Sequence, residues 1–241
     1  MITVVFAFGC TTGKELVENG ELGQSDLSPD SLIKIINQNS ADELMQVKGK
    51  GRALVSQEGG NDRVTIEFYS DRETSLLHIR SAAGIEGGQV LVGNDSVLVY
   101  NKIDKYARIS PISKSGGSDI GSLASVNLID LLNYRLADEK ITSVIEDNSF
   151  WVGIFKSGGK VFVEKDTGYI RKLNWSRNSP YREIVYEGYD EIEGFELPRK
   201  ITILSSDGKS RVVFLVQSLD VNSSLPELTI NLPDNIPLRK I

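Results

Sequence analysis

Arg63-Val64-Thr65-Ile66-Glu67-Phe68 alternates strictly, with Val64, Ile66 and Phe68 on one side of an extended chain and Arg63, Thr65 and Glu67 on the other. Such a strand is dry on one face and wet on the other, which is the pattern of an antiparallel sheet packed on one side. Working outward, the same alternation returns over 43–57, 74–81, 88–93, 96–101 and 105–109. The separators are short turn clusters: Glu58-Gly59-Gly60-Asn61-Asp62, Asp71-Arg72-Glu73, Asn94-Asp95 and Asp104. Short separators mean hairpins, and successive hairpins mean a meander. Strand patterns resume over 140–146, 149–156, 160–165, 168–176, 182–190, 199–206 and 209–221, with turns at Ser157-Gly158-Gly159, Asp166-Thr167-Gly168 and Asp207-Gly208. Glu193-Gly194 precedes another short run.

Two stretches have helical spacing instead. Ser28-Pro29-Asp30 supplies a serine N-cap, a proline at the first helical position and an acid in the first turn; Leu32, Ile33 and Ile36 form the apolar stripe, and Asn37-Gln38-Asn39-Ser40 ends it. After a Gly/Ser-rich segment from Ser113 to Ser122, the residues Leu123 to Leu136 place Val126, Ile129, Leu132 and Leu136 on one face, with Leu128 and Leu131 beside them. Few charges interrupt this second helix, so it is expected against the sheet. The expected fold is therefore mainly β (α+β): one curved antiparallel sheet, or open half-barrel, with helices on its concave face. A two-sheet sandwich is the alternative. No internal repeat or compositional break divides the chain, so residues 28–241 read as a single domain.

Composition narrows the function. The 241 residues are 40 % hydrophobic and 25 % charged with a net charge of −6, which disfavours nucleic acid as a partner, since phosphate binding needs a clustered basic surface. The densest basic run, Lys48-Gly49-Lys50-Gly51-Arg52, reads as the solvent face of a strand. With one cysteine, Cys10, there is neither an intramolecular disulfide nor a cysteine-based metal site, and the one histidine, His78, shares the solvent face of its strand with Arg80. No phosphate-binding glycine loop, dinucleotide fingerprint, His-Glu-x-x-His, nucleophile-elbow or calcium-loop pattern occurs. Acidic clusters such as Glu187-Gly188-Tyr189-Asp190-Glu191 sit at strand ends, where solvated turns explain them. No enzyme activity, metal or cofactor is expected.

The opening Met1-Ile2-Thr3-Val4-Val5-Phe6-Ala7-Phe8-Gly9-Cys10 runs apolar residues into Ala-x-Gly-Cys, similar to the end of a bacterial lipoprotein signal peptide. In such a signal the small residue before the cysteine admits the peptidase and the sulfur takes the lipid. It lacks a positive n-region and its apolar run is short for a signal. A chance cysteine on an apolar tail is the competing reading. Residues 1–10 are thus a truncated lipoprotein signal, and 11–27, polar and containing Gly13, Gly20 and Gly23, a tether. Two acyl chains suffice for stable anchoring, so the expected membrane contact is lipid on Cys10.

The stretch Ser81-Ala82-Ala83-Gly84-Ile85-Glu86, then Val90-Leu91-Val92, Asp95-Ser96-Val97, Asn101-Lys102 and Lys105-Tyr106, resembles a family of uncharacterised bacterial lipoproteins, as does the Leu-rich Asn127-Leu128-Ile129-Asp130-Leu131-Leu132 that follows. Asn94 stands where that family commonly has proline, and the leader is shorter. The family is similar in architecture to the LolA and LolB lipoprotein carriers. The resemblance implies an open half-barrel over a hydrophobic cavity, the periplasmic side of the outer membrane, and lipoprotein acyl chains or another apolar ligand as partner; it supplies no catalytic residue.

Strand phase then names the groove: Val64, Ile66, Phe68, Leu77, Ile79, Leu173, Trp175, Ile184, Tyr186, Ile201 and Ile203 are expected inward, with Leu128, Leu131 and Leu132 on a covering helix. Ile85, beside Gly84, is either an exposed apolar tip that touches membrane or cargo or a tucked-in turn residue. A groove filled by the protein's own helices would instead suit a structural or adaptor lipoprotein. Cys10→Ser is expected to move the protein from the membrane to the soluble fraction with its circular dichroism unchanged; persistent membrane residence of the variant favours the chance-cysteine reading.

Overall fold

The structure is a computed structural model and describes residues 22–39, 43–112, 126–134, 140–175 and 181–240. Cys10 with the expected signal, most of the expected tether, the Gly/Ser-rich segment and both ends of the expected 123–136 helix lie outside those residues.

The described strands form one open, curved sheet of 15 strands. They are β1 (Gly23–Gln24), β2 (Gln46–Gln57), β3 (Gly60–Asp71), β4 (Ser75–Ser81), β5 (Glu86–Val92), β6 (Ser96–Asn101), β7 (Tyr106–Pro111), β8 (Ile141–Glu146), β9 (Phe150–Phe155), β10 (Lys160–Glu164), β11 (Ile170–Asn174), β12 (Tyr181–Ile192), β13 (Phe195–Ser205), β14 (Arg211–Val221) and β15 (Leu238–Lys240). The helices are α1 (Pro29–Asn39) and α2 (Leu128–Leu132). The spatial order is β1, then β8 to β14, then β2 to β7, then β15. Two hairpin-connected meanders are therefore joined side by side where β14 pairs with β2, and the sandwich alternative falls away.

Turn chemistry explains where the meanders reverse. Glu193 and Gly194 both take positive φ, 51° and 87°, which is the two-residue turn whose twist matches flanking antiparallel strands. The run after this turn continues directly into β13 rather than standing apart, so Pro198 lies inside a long strand. It is tolerated because β14 pairs only with the Lys200–Leu204 part of β13, leaving one side of Pro198 without a ladder partner.

Strand phase follows the alternation. Ile66 sits opposite Ile79 and Phe68 opposite Leu77, so these four share a face, while Lys50 and Arg52 point away with Glu67 and Thr65. On the apolar face one hydrophobic cluster runs unbroken from Ile141 in β8 across the junction to Val97 in β6, and takes in Leu32 and Ile36 of α1 and all four apolar residues of α2.

The other face is not uniformly wet. The chain leaves β14 beside β2 and reappears as β15 beside β7, so residues 222–237 cross six strands. Leu228, Ile230, Leu232 and Ile236 of this crossing segment pack on Tyr69, Leu76, Leu91, Leu98, Tyr100 and Ala107, a second, smaller core. Asn222, with φ 49°, starts the crossing; its side-chain oxygen accepts from the Met45 and Gln46 amides. β15 then pairs with β7 in parallel, so the sheet is mixed, not wholly antiparallel. A parallel edge strand needs the long crossover that this segment provides.

Two differences concern the ends of the sequence reading. Gly23–Gln24, expected in the tether, adds a short strand to β8, and Ser25 Oγ donates to Glu146 at 3.0 Å. The second helix is only five residues long: Val126 and Asn127 precede it and Asn133 follows it, because the Asn127 side chain caps it by accepting from the Ile129 amide at 2.9 Å and Asn133 closes it by donating to the Ile129 carbonyl.

The junction is built on absent side chains. A Cβ on Gly51 would lie 2.4 Å from the Phe214 ring and 2.7 Å from the Leu215 carbonyl oxygen; one on Gly49 would lie 2.1 Å from the Ser218 carbonyl oxygen and 2.8 Å from the Phe68 ring. Phe68 and Phe214 occupy that space edge to face, 6.0 Å apart, over β2. Gly51→Ala should therefore cost about 1–3 kcal/mol in urea unfolding, the range for overpacking a filled core; an unchanged midpoint would show that the junction is not close-packed.

Candidate functional site

The apolar face is filled unevenly. In its β8–β14 half, Leu173, Ile184, Tyr186, Ile201 and Ile203 are buried, and Trp175 is half-buried, edge to face with Tyr134 at 6.5 Å. α1 packs on β8 and β9 in this half. A void of about 30 Å³ there is lined by Ile36, Leu132, Asn133, Tyr134, Tyr186 and Tyr189 among others, enough for one water.

α2 sits at one end of the other half, fixed by polar contacts rather than loosely seated. Ser70 Oγ and Ser75 Oγ are 2.6 Å apart, Ser75 Oγ accepts from the Leu128 amide at 2.9 Å, and Asn127 Nδ2 donates to the Asp71 carbonyl at 2.9 Å. These groups tie the helix to the β3–β4 turn, and Leu128, Leu131 and Leu132 are buried there.

At the opposite end of β2–β7, beyond the reach of this one-and-a-half-turn helix, the apolar face opens into a cavity of about 420 Å³. That is within the roughly 300–1,000 Å³ typical of small-ligand sites. Val55, Val64, Ile79, Val90 and Val99 form its apolar wall; Gln57, Asp62, Ser81, Asn101, Tyr106 and Arg108 make it polar toward the rim. Register puts all of these on the apolar face: Val64 opposes Ser81, Val90 opposes Val99, and Val99 opposes Arg108.

Of the eleven groove residues named from the sequence, all lie in or against the one apolar cluster, but only Val64 and Ile79 line the cavity. Ile66, Phe68, Leu77 and the second-half residues are packed interior. The valines of β5 and β6 and the β7 residues Tyr106 and Arg108 were not named, although Val97-Leu98-Val99 is apolar throughout and gave no phase to read. Arg108 gave no signal, because a lone arginine in an alternating strand ordinarily faces water.

The hairpin ends β4–β5 and β6–β7 stand at the cavity's open end. Ile85 is an exposed tip, 63 % accessible, and is joined by Ile103, 64 % accessible, on the next hairpin. The Lys102 amide donates to the Gly87 carbonyl at 3.0 Å and Lys102 Nζ meets Glu86, so the two tips are held side by side. That ion pair also lowers the Glu86 carboxyl below its usual range. His78 is on the opposite face, between Gln89 and the Tyr69 ring, away from the cavity. Among the described residues no cluster of three or more His, Cys, Asp or Glu could hold a metal, and no helix is long and apolar enough to cross a membrane.

An open curved sheet with an apolar face and few helices is the LolA-like fold, and solved structures bear this out. The chain is similar to a DUF1329-family protein from Desulfovibrio piger (14 % identity, TM-score 0.58, 83 % of this chain and 96 % of that one). It is similar to a LolA superfamily protein from Nitrosomonas europaea (12 %, TM-score 0.59, 85 % and 98 %) and to a domain named for outer membrane lipoprotein sorting from Vibrio parahaemolyticus (10 %, TM-score 0.57, 83 % and 96 %). At such identities the likeness is one of fold. No protein-family model and no curated protein matches the sequence.

The filled half has its own chemical signature. Burial raises the Tyr186 and Tyr189 hydroxyls well above the ordinary tyrosine value; Tyr189 Oη donates to the Ile170 carbonyl at 2.7 Å, and Arg171 beside it only partly offsets the shift. A raised folded value means the neutral form is favoured on folding, so this contribution is intact below about pH 10 and is lost as pH rises through the folded values. In an ultraviolet titration these two tyrosines should ionise only together with loss of near-ultraviolet dichroism, after the exposed ones; early ionisation of all eight would contradict the packed half.

Proposed function

We propose that this protein is a non-enzymatic envelope lipoprotein, anchored through Cys10 on the periplasmic side of the outer membrane, that accepts acyl chains in the cavity between the β3–β6 valines. The single observation that carries the reading is the cavity itself: about 420 Å³ of space against an apolar wall, opening beside two exposed isoleucines. A single exposed apolar side chain is ordinary, but neighbouring ones that form a patch mark contact with another apolar surface. Ile85 and Ile103 on adjoining tips suit contact with a bilayer or with the acylated end of a lipoprotein, from which a chain passes into the cavity. The named neighbours, a LolA superfamily protein and a lipoprotein-sorting domain, support lipoprotein binding as the general class. In this reading α1 and α2 cover the concave face at its two filled regions, and the cavity is what they leave uncovered.

The adaptor reading keeps one specific support: the β8–β14 half of the face is filled by the protein's own side chains. The two readings part at the cavity. Titrating a diacylated peptide into the purified domain should give saturable binding, weakened at least about tenfold, or about 1.4 kcal/mol, by Val64→Glu or Val99→Glu. Both positions are half-buried, so a charge there faces the cavity without entering the packed interior, whereas a charge at fully buried Phe68 would unfold the junction. No binding by the unaltered protein leaves the adaptor reading standing.

A further inference from the structure

The cavity runs across the strands rather than along them. Its wall takes in residues of β2 to β7, six adjacent strands, and no more than four positions on any one of them, Gly87–Val90 of β5 being the longest run. Five strand spacings make it roughly 24 Å long, and three or four residues make it about 10 Å wide. Toward the β3–β4 turn the same face is packed, with Ile66, Phe68 and Leu77 buried, so a ligand has no room to turn down the strands. The trough is apolar in the middle and polar at both ends. Val64, Ile79 and Val99 form the middle together with Gly88, which pairs with Ile79 and Asn101 and adds no side chain to the floor. Asn101 and Tyr106 mark the β7 end, beside Ile103. At the β2 end stand Gln57 and Asp62, both exposed; Asp62 opposes the core residue Val55 and so shares its face.

Two measures of this trough bracket what fills it. From Val99 on β6 to Val64 on β3 is three spacings, roughly 14 Å, which an extended chain covers with about eleven carbons at about 1.3 Å each. The volume of about 420 Å³ is that of roughly fourteen waters at about 30 Å³ each, and a methylene is about as large as a water. The geometry points to a site that takes one acyl chain and selects its length, at roughly eleven to fourteen carbons. The chain enters past Ile103, lies across Val99, Ile79 and Val64, and stops at Asp62. A methyl end pushed further would strip water from a carboxylate without offering it a hydrogen bond, which is unfavourable. The other chains of a lipoprotein stay outside, since the volume holds only one. The inference rests on the cavity being an acyl site; it adds the number of chains, the length and the residue that sets it.

The test is calorimetric titration of the full chain with one soluble peptide N-acylated by chains of eight to eighteen carbons, each kept below its micelle concentration. Affinity should rise about fourfold per methylene, which is about 0.8 kcal/mol, and then level or fall once the trough is full, between about eleven and fourteen carbons. Asp62→Leu, at an exposed position, should leave the affinity for the ten-carbon chain unchanged and move the break at least two carbons longer. Asp62→Asn removes only the charge and should move it less, which keeps the test open where the leucine variant fails to fold. A break that neither variant moves overturns Asp62 as the stop. Affinity that climbs without a break to eighteen carbons in the unaltered protein overturns length selection and leaves the acyl site intact. No binding at any length overturns the acyl site itself.

Discussion

The contact of Phe68 and Phe214 over Gly49 and Gly51 is the constraint on which the rest of the molecule depends. The two meanders join at the pairing of β2 with β14, which makes one continuous apolar face from two. Two glycines on the inner side of β2 let the rings from β3 and β14 lie across the strand, where any Cβ would meet ring or carbonyl atoms. The alternate positions of the same strand, Lys48, Lys50 and Arg52, keep its other side in water. One five-residue run thus sets both the close packing of the junction and the polarity of its outer side.

From that junction the apolar face is treated differently in each direction. Toward β8 its core takes in Leu32 and Ile36 of α1, Leu173 of β11, Tyr181 and Tyr186 of β12, and the apolar residues of α2. Toward β7 the only described helix is α2, too short to extend past the β3–β4 turn to which Ser70, Ser75 and Asn127 bind it. The opposite side of this half is sealed by the crossing segment with its prolines. Among the described residues, space is therefore left on one face at one end, where the β4–β5 and β6–β7 tips stand. The fold places a cavity beside apolar tips without any mobile part having to be invoked.

Much of this architecture was legible in the sequence, because alternation is a strong signal where one face is wet. Val64, Ile66 and Phe68 fixed the phase of β3, turn clusters fixed the hairpins, and Ser28-Pro29-Asp30 marked α1, whose Ser31 amide donates to Ser28 Oγ. The misses share a physical cause, which is that long-range packing overrides local pattern. Val97-Leu98-Val99 is covered on both sides and so shows no alternation. The 128–132 helix stops at two asparagines whose capping could not be told from helix interior by apolar spacing alone. The parallel β15 depends on where a 16-residue crossover ends, which no local pattern encodes. Glycines 49 and 51 read as spacers between lysines, although the size of their neighbours across the sheet is what requires them.

The central claim is that the space beneath the β4–β5 and β6–β7 tips is an acyl site rather than a gap left by packing. Native mass spectrometry of the protein gently extracted from the envelope that contains it tests this most directly. The account predicts a population carrying one additional non-covalent single-chain lipid, removable by mild activation and reduced when Val99 is replaced by glutamate. A single mass corresponding to the polypeptide with its own anchor, under conditions that preserve other lipid complexes, would contradict it.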